Sequence, residues 1–243
     1  MRLYTFANRC SKEILRDPLN LMFGLGFPVV LLLLLSAIQA NIPVALFAIQ
    51  NLAPGITVFG LSFMTLFSAT LIARDRETTL LQRLYTTPLR SRDYILGYML
   101  PIIPISVLQS ALCYLAAFLL GLPLSANVAY ATVMTAPISA VYIGLGLLCG
   151  SVCNVKQVGG ICGALLTNLS AWLSGIWFDL ELVGGVFEKI AKLLPFYHAV
   201  ALQRAIVDGN FTGISAHFAI VLAYGAVTML CAIILFLRQM KKQ

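Results

Sequence analysis

Long apolar runs alternate with short polar breaks along this chain of 243 residues. In order, the runs are Asn20 to Ala40, Leu52 to Ala73, Ile95 to Leu120, Val128 to Gly150, Val158 to Phe178 and His217 to Leu237. Each has about the 20 residues that an α-helix needs to cross hydrocarbon, so the pattern predicts six transmembrane helices. Pro28, Pro101, Pro104 and Pro137 fall inside spans, where neighbouring helices can satisfy the carbonyls that proline frees. The stretch Met1 to Leu19 has a different period. Leu3, Phe6, Ala7, Cys10 and Ile14 share one helical face, and Arg2, Arg9, Lys12, Glu13 and Arg16 fill the rest. That pattern predicts a helix lying in the membrane interface, or more simply a basic tail that sets orientation.

The connection from Asp179 to Ala216 has 38 residues, too long for a plain loop. Val183, Val186, Phe187, Ile190 and Leu194 recur at helical spacing, with Glu188, Lys189 and Lys192 opposite. Pro195 interrupts, and Leu202, Ala205 and Ile206 resume the pattern until Asp208-Gly209-Asn210. Neither piece can span the bilayer, so two short helices dipping back into the outer leaflet are expected, with the Arg204 stem buried and its head at the interface.

Charge sharpens this layout. The chain is 60% hydrophobic and 10% charged, where soluble domains carry about 25% charged residues. Eight of its 25 charged residues lie in the 21 positions from Arg74 to Tyr94, a segment that cannot sit in hydrocarbon. Counting Lys and Arg over alternate connections puts 13 on the side of both termini and 3 on the other. By the positive-inside rule both termini are cytoplasmic, in a cell membrane. The net charge of +7 reads as this bias and not as a nucleic-acid footprint. Six cysteines without a CxxC pair read as reduced structural residues. No secretory signal precedes the first run, which is too long for a signal core. Gly146 with Gly150 and Gly159 with Gly163 form two GxxxG pairs, expected to pack helices inside one bundle, or to form a dimer seam.

Chemistry is sparse. The spans carry essentially no ionisable residue, so proton-coupled transport lacks stations. No HExxH or buried nucleophile pair occurs, and His198 and His217 read as interface residues. There is no phosphate loop, so an ATP-driven mechanism needs its ATPase on another polypeptide. The Arg74 to Tyr94 segment could receive it: Asp75 can cap a helix, Glu77 suits its N-terminus, and Leu80, Leu81 and Leu84 make an apolar edge opposite Gln82 and Arg83. Thr86-Thr87-Pro88 ends it. About nine helical residues give a rod of roughly 13 Å. A solvated basic loop is the plainer reading.

These residues also carry a resemblance. Arg74-Asp75-Arg76-Glu77-Thr78-Thr79-Leu80-Leu81-Gln82-Arg83-Leu84-Tyr85-Thr86-Thr87-Pro88-Leu89 resembles the "RERGTLERLLTTPL" segment of ABC-2 type permeases, the membrane subunits of ATP-binding cassette exporters. Leu194-Pro195-Phe196-Tyr197-His198-Ala199-Val200 with Arg204 is similar to that family's outer "NPLTYLVEALR" segment. Thr78 stands where the family usually has Gly, and Phe196-Tyr197-His198 replaces the usual middle of the second segment. The resemblance implies an all-α membrane protein, one domain over residues 1–243, in which two permease subunits, alike or not, form a pore domain with two ATPase subunits. Mg-ATP would bind the partner ATPase, leaving no cofactor and no catalytic site in this chain. Glu77, Leu80, Leu81, Arg83 and Leu84 would form the coupling helix, and Met1 to Leu19 the connecting helix. Phe59, Phe63 and Phe67 on span two, with Asn168 and Trp172 on span five, are candidates for the substrate pathway, although the Phe stripe also suits lipid or helix packing. The contrasting readings are an energy-independent channel and an accessory or immunity membrane subunit.

Overall fold

The computed structural model describes residues 2–41, 45–78 and 91–240. Among these residues every regular element is helical. We number them α1 Arg2–Leu15, α2 Pro18–Asn41, α3 Ile49–Glu77, α4 Ser91–Met99, α5 Ile102–Leu119, α6 Ala126–Val152, α7 155–173, α8 Leu180–Val183, α9 Gly185–Leu193, α10 Pro195–Val207 and α11 Ile214–Met240.

Among the described residues, five helices are long and apolar enough to cross a membrane: Pro18–Asn41, Ile49–Glu77, Asp93–Leu119, Ala126–Val152 and Ile214–Phe236. The stretch expected as the fifth span instead forms the composite α7. A short α-helix, Val155–Val158, passes into a π-helical stretch, Gly159–Leu166, and returns to α-helix over Thr167–Leu173. Two adjacent glycines, Gly159 and Gly160, open the π-helical stretch.

Helix α3 is the centre of the bundle. Nearly nine-tenths of its most apolar window is buried, against 22% for the corresponding windows of α2 and α11. The outer helices therefore keep apolar faces free for lipid or protein, as Val30, Leu34, Val227 and Leu230 show. Small residues let α6 approach α3 closely. A methyl group on Gly146 would collide with the Ser68 hydroxyl and the Thr65 carbonyl, and one on Gly150 would collide with the Ala69 backbone. The first GxxxG pair thus packs inside one bundle, as expected. The second does not: a methyl on Gly159 would meet nothing, and one on Gly163 only Leu66. A buried polar seam ties α5, α6 and α10 together. Tyr114 Oη donates to Gln203 Oε1 at 3.0 Å, and Gln203 Nε2 donates to the Ala131 carbonyl at 2.9 Å.

Two local expectations need correction. The helix that holds the expected second span is longer than Leu52 to Ala73; α3 runs on to Glu77, and Thr78 leaves it in extended conformation. Asp75 therefore caps nothing. It is 1% exposed inside the last turns of α3, because ion pairing, not a free helix N-terminus, satisfies its carboxylate. The apolar face of α1 also turns inward, not to lipid. Phe6, Ala7, Cys10 and Ile14 are all buried, and the Phe6 ring meets Tyr94 and Tyr98 edge-on at 5.7 and 5.0 Å. Gly97 permits this, since any side chain there would strike the Phe6 ring.

Candidate functional site: a charged clamp at the end of α3

The last turn of α3 sends four consecutive charged side chains to separate parts of the molecule. Arg74 Nη2 lies 3.1 Å from Asp17 Oδ2 at the junction of α1 and α2. Asp75 accepts two hydrogen bonds from Arg9 of α1, at 2.5 and 2.6 Å, and a third from Tyr98 Oη of α4 at 2.7 Å. Arg76 Nη1 donates to the carbonyls of Gly150 and Cys153, at 2.9 and 3.2 Å, where α6 ends and its last carbonyls lack helical partners. Glu77 Oε1 accepts from the Val155 backbone N–H at 2.8 Å, at the start of α7. A cation at a helix C-terminus and an anion at a helix N-terminus both suit the helix dipole.

The Arg9 to Asp75 contact is the strongest of these. It is a bidentate guanidinium–carboxylate pair, the geometry that makes charge-assisted bonds strong. Asp75's side chain is 2% exposed and Arg9's 35%. Arg9 also holds Glu13 at 2.7 Å, one turn along α1. Burial works against the Arg9 charge, but its hydrogen bonds to Asp75 and the nearby carboxylates outweigh it and raise Arg9 above its usual range. Burial also pushes the neighbouring Cys10 thiol up to about 12, so it stays protonated and unreactive.

The clamp sits directly before residues 79–90. Of the predicted coupling residues, Glu77 is its last member, while Leu80, Leu81, Arg83 and Leu84 lie outside the described residues. The candidate pathway residues do not form one surface. Phe59, Phe63 and Phe67 are buried, and Phe59 and Phe63 stack edge-on with each other at 5.9 Å and against Phe27 and Trp177. Asn168 and Trp172 are exposed on α7, and Asn168 Nδ2 donates to the Ala164 carbonyl.

The end of the bundle away from the clamp holds a second polar constellation that the sequence reading missed. His198 Nδ1 lies 2.7 Å from His217 Nδ1, and His198 Nε2 lies 2.8 Å from the Lys192 carbonyl. A carbonyl only accepts, so His198 carries its proton on Nε2, and Nδ1 accepts from His217 Nδ1–H. Nothing local in the sequence signals the pairing, because the two residues are 19 apart on different helices. Arg204 is half-buried there and donates to the carbonyls of Asn51 and Gly175, at 3.2 and 3.3 Å. Among the described residues no three His, Cys, Asp or Glu side chains converge as metal ligands.

Comparison with known proteins agrees with this architecture. The family model of the ABC-2 type transporter matches residues 1–207. This chain belongs to the ABC-2 type transporter family. It is a membrane component of the transport permease class. A putative transport permease, ycf38, from Porphyra purpurea is 28% identical over 217 residues, covering 85% of this chain and 75% of that protein. The match by residues 1–207 includes both the clamp and the outer segment around Arg204.

Proposed function

We propose that this ABC-2 type permease subunit is driven by a separate ATPase that docks on the cytoplasmic segment after α3. The observation that carries this reading is the clamp. Arg74, Asp75, Arg76 and Glu77 bind the α1–α2 junction, α1 with α4, the end of α6 and the start of α7. A displacement of the adjoining 79–90 segment would reach all of these elements at once, because the four clamp residues end two positions before it. The segment after Glu77, with Leu80, Leu81 and Leu84 as its docking edge and Arg83 beside them, would receive the partner.

In this reading the membrane region has six spans, with α7 as the fifth. Helices α8 to α10 re-enter the outer leaflet, and both termini are cytoplasmic in a cell membrane. Val186, Ile190 and Leu193 are 74%, 48% and 68% exposed on α9, a face suited to lipid or to a second permease subunit. The pathway would form between two such subunits, and the exposed Asn168 and Trp172 are better placed to line it than the packed Phe59, Phe63 and Phe67. Mg-ATP would be held by the partner alone.

Co-expression with the partner ATPase tests this. Copurification of the two, with ATP hydrolysis in the isolated complex, is expected. Replacing Leu80, Leu81 and Leu84 together by Asp should release the ATPase while the permease stays folded. Undiminished copurification of that variant would refute the docking role.

A further inference from the structure

On the cytoplasmic side of the clamp lies a cleft of about 700 Å³, walled by α1, the start of α2 and the end of α3. Its lining includes four cations, Arg9, Lys12, Arg16 and Arg74, against two carboxylates, Glu13 and Asp17. The carboxylates are already engaged: Glu13 pairs with Arg9, and Asp17 pairs with Arg74 and caps α2 through the Asn20 N–H. Lys12 and Arg16 are exposed and form no ion pair among the described residues. Lys12 lies on the last turn of α1 and Arg16 four residues on, just past its end, and both line the same cleft. The cleft therefore has an unbalanced positive charge directed at whatever occupies it.

A second feature says what the occupant looks like. The basic cleft lies beside exposed apolar side chains, which suits an amphiphile with an anionic head. Exposed Leu15, Leu19 and Met22 flank the turn from α1 to α2, on the membrane side of the charges. Basic pockets at the cytoplasmic ends of membrane helices attract anionic headgroups.

We propose that this cleft binds the headgroup of an anionic phospholipid of the inner leaflet, with Lys12 and Arg16 holding the phosphate and the acyl chains lying against Leu15, Leu19 and Met22. The lipid would fasten α1 against α3 beside the clamp, so membrane composition would set how firmly the cytoplasmic end is held. The proposal does not depend on ATPase docking; it requires only that α1 lie at the cytoplasmic surface. An acidic surface of a protein partner is the competing occupant; the exposed Leu15, Leu19 and Met22 beside the charges favour the lipid.

The test uses the full chain in detergent, titrated with phosphatidylglycerol and followed by native mass spectrometry. One lipid should bind in preference to the rest, and phosphatidylcholine at least tenfold more weakly. Replacing Lys12→Gln and Arg16→Gln together should weaken the anionic lipid about thirtyfold, from the worth of two cations near a charged headgroup. Both side chains are exposed and unpaired, so the fold should survive, as unchanged thermal unfolding would verify. The pair Lys189→Gln and Lys192→Gln at the opposite end should leave binding unchanged. Glycerol phosphate and inorganic phosphate probe the head alone and should displace the lipid only at much higher concentration. Equal binding of both lipids, or unchanged binding in the Lys12/Arg16 variant, would overturn the proposal. Displacement by inorganic phosphate as effective as by lipid would overturn the lipid in favour of a free anion. Loss of ATPase copurification in that variant, with lipid binding intact, would assign the cleft to the protein partner instead.

Discussion

Replacing Asp75 by Asn keeps the size of the side chain and removes its charge. In the wild type the carboxylate is almost wholly buried and accepts bonds from Arg9 at 2.5 and 2.6 Å and from Tyr98 at 2.7 Å. An amide offers one acceptor oxygen, and its NH₂ would face the guanidinium, donor against donor. Removing one partner of a fully buried pair costs about 3–5 kcal/mol. Arg9 is 35% exposed and keeps Glu13 at 2.7 Å, so the cost falls to about 2 kcal/mol. It should appear locally, as opening of α1 from the bundle, because the lost bonds are those that hold α1. About 2 kcal/mol corresponds to roughly thirtyfold faster exchange of α1 amides. Hydrogen exchange of the protein in nanodiscs reads this directly, with α6 as the internal control. Replacing both partners, Arg9→Met with Asp75→Leu, should recover part of the protection, since it leaves no wholly buried charge, only the part-exposed Glu13 and the Tyr98 hydroxyl without their partners. Exchange in α1 of Asp75→Asn within threefold of wild type would refute the clamp as the element holding α1.

Other consequences follow from neighbouring contacts. Gly146→Ala should destabilise the bundle by about 1–3 kcal/mol, read as a lowered thermal midpoint, because part of what the new methyl meets is the Thr65 backbone, which cannot rotate away. Arg76→Gln should cost only about 0.5–1 kcal/mol and increase exchange at the end of α6, whose carbonyls lose their cation. The outer histidine pair should make stability depend on pH. Burial, then the neighbouring His217, lowers His198 below its ordinary 6.5, although the Lys192 carbonyl opposes this. The folded state thus takes up the His198 proton less readily than the unfolded chain, so its contribution is fully present above about pH 6.5 and is lost as pH falls below that. Charged or titratable neighbours on the adjoining elements are Lys192 and Glu188 of α9, Tyr197 and Arg204 of α10, and His217 of α11. His198→Gln should flatten the pH dependence of the thermal midpoint between pH 7 and 5; an unchanged profile would count against the pair as its source.

Five long apolar helices were legible because hydropathy over some 20 residues is a local property. The inner packing of Gly146 and Gly150 was legible for the same reason, since only the smallest side chain allows backbones to touch. The clamp was not. Arg9 and Asp75 are 66 residues apart, and nothing in either neighbourhood says that one will neutralise the other. Read locally, Asp75 near a run of leucines resembles a helix cap, and the inward α1 face resembles a membrane-surface helix. In both cases a long-range partner changed the role of a correctly recognised pattern. The π-helical stretch in α7 is of the same kind. Gly159 and Gly160 were visible as small residues, but the change of helical pitch they accompany has no periodic mark in the sequence.

The most direct test of the central claim places a photo-crosslinking residue at Leu81 in membranes that hold this chain and its ATPase. Energy delivered through the segment after α3 predicts a covalent adduct with the ATPase, lost when the partner is omitted. Adducts to lipid alone, or labelling of the same position from the external side of sealed cells, would contradict it.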